Sequence, residues 1–326
     1  MRVFVTGANG FIGTCVTRNL LAHGHQVVGL ARSERSAAAL RAMGAVPHRG
    51  SLRDLDSLRR GVAQADGVIH LAFTFSPMDL PPGRVLGALF GGWPAGIPGR
   101  MMGAIAALDR AALETFGAAL QGSCRPLVAA FATMGVAGPP GECAGRLATE
   151  EDAPNARSPG YGRALNEAAL ERWVARGVRA SIIRLAPSVH GDSDKGLVPQ
   201  LIRASRKWGE AIYVDDGANR WCGVHREDAA TLFRLALEQG APGRVYHGVG
   251  DDGVTFRQIA EVIGRRLELP VRSKPLAEAR RKMGWLGPFI AVDNPASSER
   301  TRQELGWQPL GPILINDIDR AAYFAS

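Results

Sequence analysis

The chain lacks what several large protein classes require. Its 326 residues include only four cysteines, Cys15, Cys124, Cys143 and Cys222. None stands at metal-ligand spacing and no disulfide framework is in view, so no metal site is expected. Free thiols in a reducing cytoplasm are expected instead. No basic run is interleaved with aromatics, which argues against nucleic acid as a partner. No long apolar run is unbroken: residues 85–105 are cut by Pro94, Pro98 and Arg100 and crowded with glycine, so a membrane span is not expected. The first strand begins at Arg2, so no leader is expected. Acidic residues number 31 against 39 Lys and Arg, a formal charge of +8 that suits anionic ligands such as phosphorylated cofactors.

What is present begins at once. Thr6-Gly7-Ala8-Asn9-Gly10-Phe11-Ile12-Gly13 follows the apolar run Val3-Phe4-Val5. Ile12, Val16, Leu20 and Leu21 then recur at helical spacing. A Gly-rich turn between a buried strand and an amphipathic helix reads as a pyrophosphate cradle. Gly7 permits the tight turn, Gly10 lets backbone approach a phosphate, and Gly13 lets the helix pack on the strand. The helix start then points free N–H groups at the anion.

Short apolar runs alternate with helical patterns through the first half. Strands are expected at residues 3–5, 26–30, 45–48, 67–72, 126–132 and 180–185. Helices are expected at 11–23, 34–43, 55–63, 104–120 and 166–176. This alternation predicts an α/β fold, a Rossmann-type doubly wound parallel sheet with helices on both faces. Residues 1–185 would form the dinucleotide-binding domain and 186–326 a smaller C-terminal substrate lobe. In the lobe, helices are expected at 197–208, 227–239, 256–267 and 298–305, and strand regions at Val214 and 245–248. Residues 73–103, rich in Gly, Pro and Met, read as an insertion. It is either a surface loop or a cover for an apolar substrate or partner subunit.

At this point the chain resembles the extended short-chain dehydrogenases/reductases, the epimerase/dehydratase-like family, over nearly its whole length. The Gly motif matches, as do Val68-Ile69-His70-Leu71-Ala72, Arg184-Leu185-Ala186-Pro187, Val224-His225-Arg226-Glu227-Asp228 and Leu305-Gly306-Trp307. The resemblance implies hydride chemistry on a small-molecule substrate, and a homodimer is the family's common habit. It extends the cofactor set to Asn9, Phe11, Ile12, Leu71, Ala72, Phe73 and Pro187, and to Ser51 and Leu52 in the loop expected to pack on adenine. Asp54 in that loop is equally a helix cap.

An NAD enzyme usually carries Asp or Glu at the end of the second strand. Here the segment reads Leu30-Ala31-Arg32-Ser33, with no acid. The Arg32 guanidinium, with the Ser33 hydroxyl, favours the 2′-phosphate of NADP; a solvated Arg at a helix start is the alternative.

The family's reaction uses a Tyr, a Lys four residues later and a Ser or Thr hydroxyl. Thr133 falls on the hydroxyl position, or simply closes a strand end. The Tyr–Lys pair is altered. If Tyr161 takes the Tyr position, Leu165 takes the Lys position. If Glu167 is aligned with the family's acidic residue instead, Arg163 takes the Lys position and holds the nicotinamide ribose. The catalytic candidates are therefore Thr133, Tyr161 and Arg163. Asp109 falls near the family's Asn, as a relay group or paired with a neighbouring Arg. Trp221 is a candidate for stacking on a substrate ring, while His190 and His225 read as structural. The expected function is NADP-dependent hydride transfer to a fairly apolar carbonyl, enone or imine. The alternatives are a nucleotide-sugar epimerase or dehydratase and a non-catalytic NADP-binding sensor.

Overall fold

The computed structural model describes residues 1–73, 80–93 and 96–325. In chain order the first elements are β1 (Arg2–Thr6), α1 (Phe11–Ala22), β2 (Gln26–Ala31), α2 (Glu34–Ala42), β3 (Val46–Arg49), α3 (Leu55–Ala63), β4 (Gly67–His70), α4 (Pro82–Phe90), α5 (Ile97–Leu120), β5 (Pro126–Ala132), α6 (Tyr161–Ala164), α7 (Glu167–Val174) and β6 (Arg179–Leu185). There follow β7 (Ser188–His190), α8 (Leu197–Trp208), β8 (Ala211–Val214), β9 (Arg220–His225), α9 (Arg226–Gln239), β10 (Val245–Gly248), β11 (Asp251–Thr255), α10 (Phe256–Leu267) and β12 (Val271–Lys274).

The strand order β10-β6-β5-β4-β1-β2-β3 forms a seven-stranded parallel sheet, as the alternating pattern predicts. The reversal of order beside β1 is the switch point where such sheets take ligands. Burial explains the central strands: Val3, Phe4, Val5, Val68 and Ile69 have no exposed surface. Such continuous apolar runs belong to strands covered on both faces. Side chains start the helices. Ser33 Oγ accepts from Ser36 N at the head of α2, and Asp54 Oδ1 from Ser57 N at the head of α3. Asp54 therefore takes the capping role.

The chain divides into two compact units: Met1–Ala130, Gly162–Ile182 and Phe233–Arg244 form the first, and Phe131–Tyr161, Ile183–Leu232 and Val245–Ser326 the second. The sequence expectation puts a single cut at 185/186; the compact units cross it in both directions. Unit 2 has its own core, in which Trp221, Phe256, Ile259, Ile290 and Leu314 are buried. Its small sheets run β11-β9-β7 and β12-β8.

The insertion differs from its expected irregularity. Residues 74–79, 94 and 95 lie outside the described residues, but residues 82–90 form α4, and α5 starts at Ile97 rather than at residue 104. Pro98 does not break α5, because it sits in the first turn where its missing N–H costs nothing. Arg100 reaches back from α5 to the carbonyls of Ala88, Gly92 and Trp93 around the end of α4. Among the described residues no helix is long and apolar enough to cross a membrane.

Candidate functional site

The Gly-rich turn is sterically tight. Gly7 has φ +72°, and a Cβ there would stand 2.9 Å from Ala72 N. A Cβ on Gly13 would stand 1.9 Å from Gly7 O. The turn is closed by Gly10 N donating to Gly7 O at 2.9 Å. Helix α1 then begins with Gly10 as its cap, with no side-chain cap bond and no acid in the first turn. Its first-turn N–H groups, from Phe11, Ile12 and Gly13, have no carbonyl below them in the helix, and the dipole adds positive potential there.

A cavity of about 1020 Å³ opens beside this turn in unit 1. Of the expected cofactor residues, Gly7, Asn9, Gly10, Arg32, Ser51, Leu52, Ala72 and Phe73 line it. Ser33 caps α2, Leu71 N donates to Thr6 O at 3.2 Å, and Pro187 belongs to unit 2. Three polar lining residues were missed as ligand groups by the sequence reading: Ser36, Arg49 and Arg53. Arg49 ends β3 beside Ala31 on β2, so the strand pairing brings it to Arg32. Only the pairing register reveals that. Arg49 also lies 3.5 Å from Glu34 Oε2.

Beneath the cavity runs a buried polar chain. Thr6 Oγ1 accepts from Ala72 N at 3.2 Å and bonds His70 Nδ1 at 2.7 Å. His70 Nε2 meets Asp109 Oδ1 at 3.1 Å. Asp109 Oδ2 accepts from Asn166 Nδ2 at 2.8 Å, and Asn166 Oδ1 from Arg110 Nε at 3.1 Å. Asp109 is therefore partnered by His70 and Asn166, not by a neighbouring Arg. Burial opposes its charge, but His70, Arg163 and Asn166 hold its carboxyl below the usual range. Arg163 sits over the Phe73 ring and its Nη2 donates to Ala130 O at 2.7 Å. Burial draws its pKa down while Asp109 and Glu167 oppose that.

Unit 2 holds the other candidates. Thr133 is fully buried at the end of β5. Its hydroxyl donates to Asn294 Oδ1 at 2.7 Å, with Leu185 O and Cys222 Sγ each at 3.4 Å. Tyr161 is half-buried at the start of α6, its N–H donating to Ser158 O at 3.1 Å. The glycine before it has a tight place: a Cβ on Gly160 would stand 2.8 Å from Met134 O. Arg220 is bidentate to Asp293, at 3.1 and 2.9 Å. Trp221 is fully buried against Phe256, so it does not stack on a substrate ring. The core of unit 2 claims its apolar surface, a tertiary demand invisible in the local sequence.

A family model, NAD dependent epimerase/dehydratase family, matches residues 3–79. An uncharacterized protein of Schizosaccharomyces pombe is 42% identical over 99% of this chain and 100% of its own length. The chain belongs to the NAD dependent epimerase/dehydratase family. A Stigmatella aurantiaca protein, 4-hydroxy-2-methyl-3-oxo-4-farnesyl-3,4-dihydroquinoline-1-oxide ketoreductase, is 29% identical over 76% of this chain and 67% of that protein. The fold is that of the Streptomyces venezuelae dTDP-glucose 4,6-dehydratase DesIV, solved as a double mutant with NAD and DAU bound. The two share a TM-score of 0.74 at 19% identity, covering 99% of this chain and 97% of that one.

Four residues after Tyr161 stands Leu165, 43% exposed. Arg163 is the cation of this segment and is already engaged by Phe73 and Ala130. The groups that sequence reading missed, Asn166 and Asn294, act through partners 57 and 161 residues away.

Proposed function

We propose that the chain is an NADP-dependent oxidoreductase that moves hydride between NADPH and a fairly apolar carbonyl, enone or imine. One observation carries the cofactor reading. The glycine cradle opens into a cavity lined by Arg32, Arg49, Arg53 and Ser36, where β2 ends without a carboxylate. Guanidinium groups and a hydroxyl at the ribose end suit a 2′-phosphate, whereas an acid there would repel it. The cradle fits the pyrophosphate: Gly7 and Gly13 leave no room for a side chain, and the dipole at the start of α1, which has no acid in its first turn, adds positive potential. When bound, NADPH supplies the hydride; the acceptor carbon takes it and the acceptor heteroatom takes a proton.

The chain's own residues would divide the work. Phe11, Ile12 and Gly13 hold the pyrophosphate, and Leu52 and Ser51 meet the adenine. Leu71, Ala72 and Phe73 serve the nicotinamide half and Arg163 the ribose there, and Pro187 is a further cofactor residue. Thr133 and Tyr161 belong to acceptor binding. The reading includes a cytoplasmic location and a homodimer, the family's habit.

The test is paired titration. Arg32→Ala should weaken NADPH by roughly 1.5–3 kcal/mol, the size of a charged hydrogen bond, and leave NADH nearly unchanged. Equal loss of both overturns the NADP reading. A second reading, a non-catalytic NADP sensor, draws on Leu165 standing where the Lys is expected. Tight NADPH binding with no oxidation across carbonyls, enones and imines would select it.

A further inference from the structure

Helix α4 in unit 1 is apolar on both of its faces. On one, Ala88 is buried and Val85 packs against the cluster of Leu80, Ile105 and Leu108. The other carries Leu86, Leu89 and Phe90 at i, i+3 and i+4, and Trp93 follows just beyond the Gly91 cap. Leu86 is 55% exposed, Phe90 80% and Trp93 88%. Among the described residues this side stays open: a Cβ on Gly83 or Gly87 would meet no atom within 4 Å. A helix that is apolar all round belongs in a core or against an apolar phase, not in water.

The charge around this face has one sign. From Leu80 to Leu108 the sequence holds no Asp or Glu, and its two charged residues are Arg84 and Arg100. Arg84 is exposed on the flank of α4. Arg100 reaches back from α5, its Nε 2.9 Å from Ala88 O and its Nη2 3.3 Å from Gly92 O, so its cation lies at the foot of the turn that bears Trp93. A second copy meeting this patch across a twofold axis would set the same arginines against themselves, with no acid in the patch to match them. An anionic lipid surface matches both properties: it takes up apolar side chains and attracts guanidinium groups. Trp and Phe at a helix end fit the boundary between headgroups and acyl chains. At nine residues α4 is too short to cross a bilayer and would lie in its plane.

We infer that the outer face of α4 is a docking surface for an anionic lipid bilayer. Leu86, Phe90 and Trp93 enter among the upper acyl chains, and Arg84 stays with the headgroup phosphates. The inference goes beyond the oxidoreductase reading and stands whether or not the chain turns NADPH over. An acceptor of the apolar class proposed above would be concentrated in that same phase.

The full chain is floated with vesicles of phosphatidylcholine alone, or of phosphatidylcholine and phosphatidylglycerol in equal parts. The anionic vesicles should carry the protein, the neutral ones far less, and added salt should release it. The double substitution Phe90→Ser with Trp93→Ser should weaken partitioning at least about tenfold, and Arg84→Gln roughly fivefold. Leu310→Ser, at an apolar position 84% exposed in unit 2, should change nothing. The emission lost in Trp93→Phe should move to the blue when anionic vesicles are added, which places the contact at this residue. All variants should keep the parent's melting temperature, since each altered side chain faces water. No flotation, equal flotation with neutral vesicles, or flotation that survives the double substitution overturns the inference. Self-association of the parent that the double substitution abolishes, while vesicles stay bare, also overturns it and assigns the face to a second copy.

Discussion

The guanidinium carbon of Arg163 sits 3.9 Å from the centre of the Phe73 ring. Phe73 lines the dinucleotide-sized cavity, and Arg163 Nη2 ties the same group to Ala130 O on β5. Arg163 is thus held by an aromatic wall of unit 1 and a strand carbonyl. Removing it strips a stacked cation and strands a carbonyl. Arg163→Ala should cost about 2–3 kcal/mol in urea unfolding. Arg163→Lys should recover less than half, because an ammonium cannot stack and reach Ala130 in one geometry. Full recovery by Lys would show that charge alone matters.

Asp109 anchors the buried chain from Thr6 to Arg110. Deleting its carboxylate leaves His70 and Asn166 without a shared acceptor and removes one of the two acidic charges that favour the buried Arg163 cation. Asp109→Ala should therefore destabilise by about 3–5 kcal/mol, the range for breaking a buried ionic group. Asp109→Asn keeps the shape and one acceptor and should cost less than half of that. Chemical denaturation of the three proteins decides it; equal losses would mean that packing, not hydrogen bonding, sets the cost.

Gly13→Ala tests the cradle. The added Cβ would lie 1.9 Å from Gly7 O, and backbone must move because both partners are main chain. The variant should lose detectable binding of both NADPH and NADH, and its midpoint in urea should fall. Gly24→Ala is the control for φ alone: Gly24 has φ +78° and open space around its Cβ position. It should lose about 1 kcal/mol of stability and no affinity. Retained binding in Gly13→Ala would remove the turn from the cofactor site.

Much of the first unit could be read from residues 1–132. Its strands are continuous apolar runs, its helices begin at Ser33 and Asp54, and its glycines stand where backbone crowds backbone. The sheet order then brings Gly7, Arg32 and Ser51 to one cavity. The remainder depends on contacts between distant residues. Arg49 joins Arg32 only through the β2–β3 register, and Asp109 finds His70 and Asn166 only when α5 packs beside β4 and α7. Trp221 looked available for stacking until the core of unit 2 enclosed it. Thr133 closes the end of β5, yet its hydroxyl's partner is 161 residues away. The short strands β7, β9 and β11 lack a periodic signal long enough to stand out, since their side chains serve a three-stranded sheet.

Asp194 gives unit 2 a pH dependence of defined sign. Its carboxylate accepts from Gly196 N at 2.6 Å and from Tyr323 Oη at 3.3 Å. Burial is the main cause raising its pKa from 3.8 to about 6; His190 opposes that and Asp317 adds to it. An acid with a raised folded pKa binds its proton more tightly when folded. Its favourable contribution is complete below about pH 4 and is lost as pH rises to about 6, where the buried group must ionise. Asp194→Asn removes that cost and keeps the acceptor for Gly196 N. The variant should match the parent at pH 4 and exceed it at pH 7.5 by about 1–2 kcal/mol, less than full linkage because solvent reaches the group. Thermal or urea unfolding at the two pH values measures the difference. A gain at pH 4 that vanishes by pH 7.5 would reverse the sign and show that the folded state prefers the ionised carboxylate.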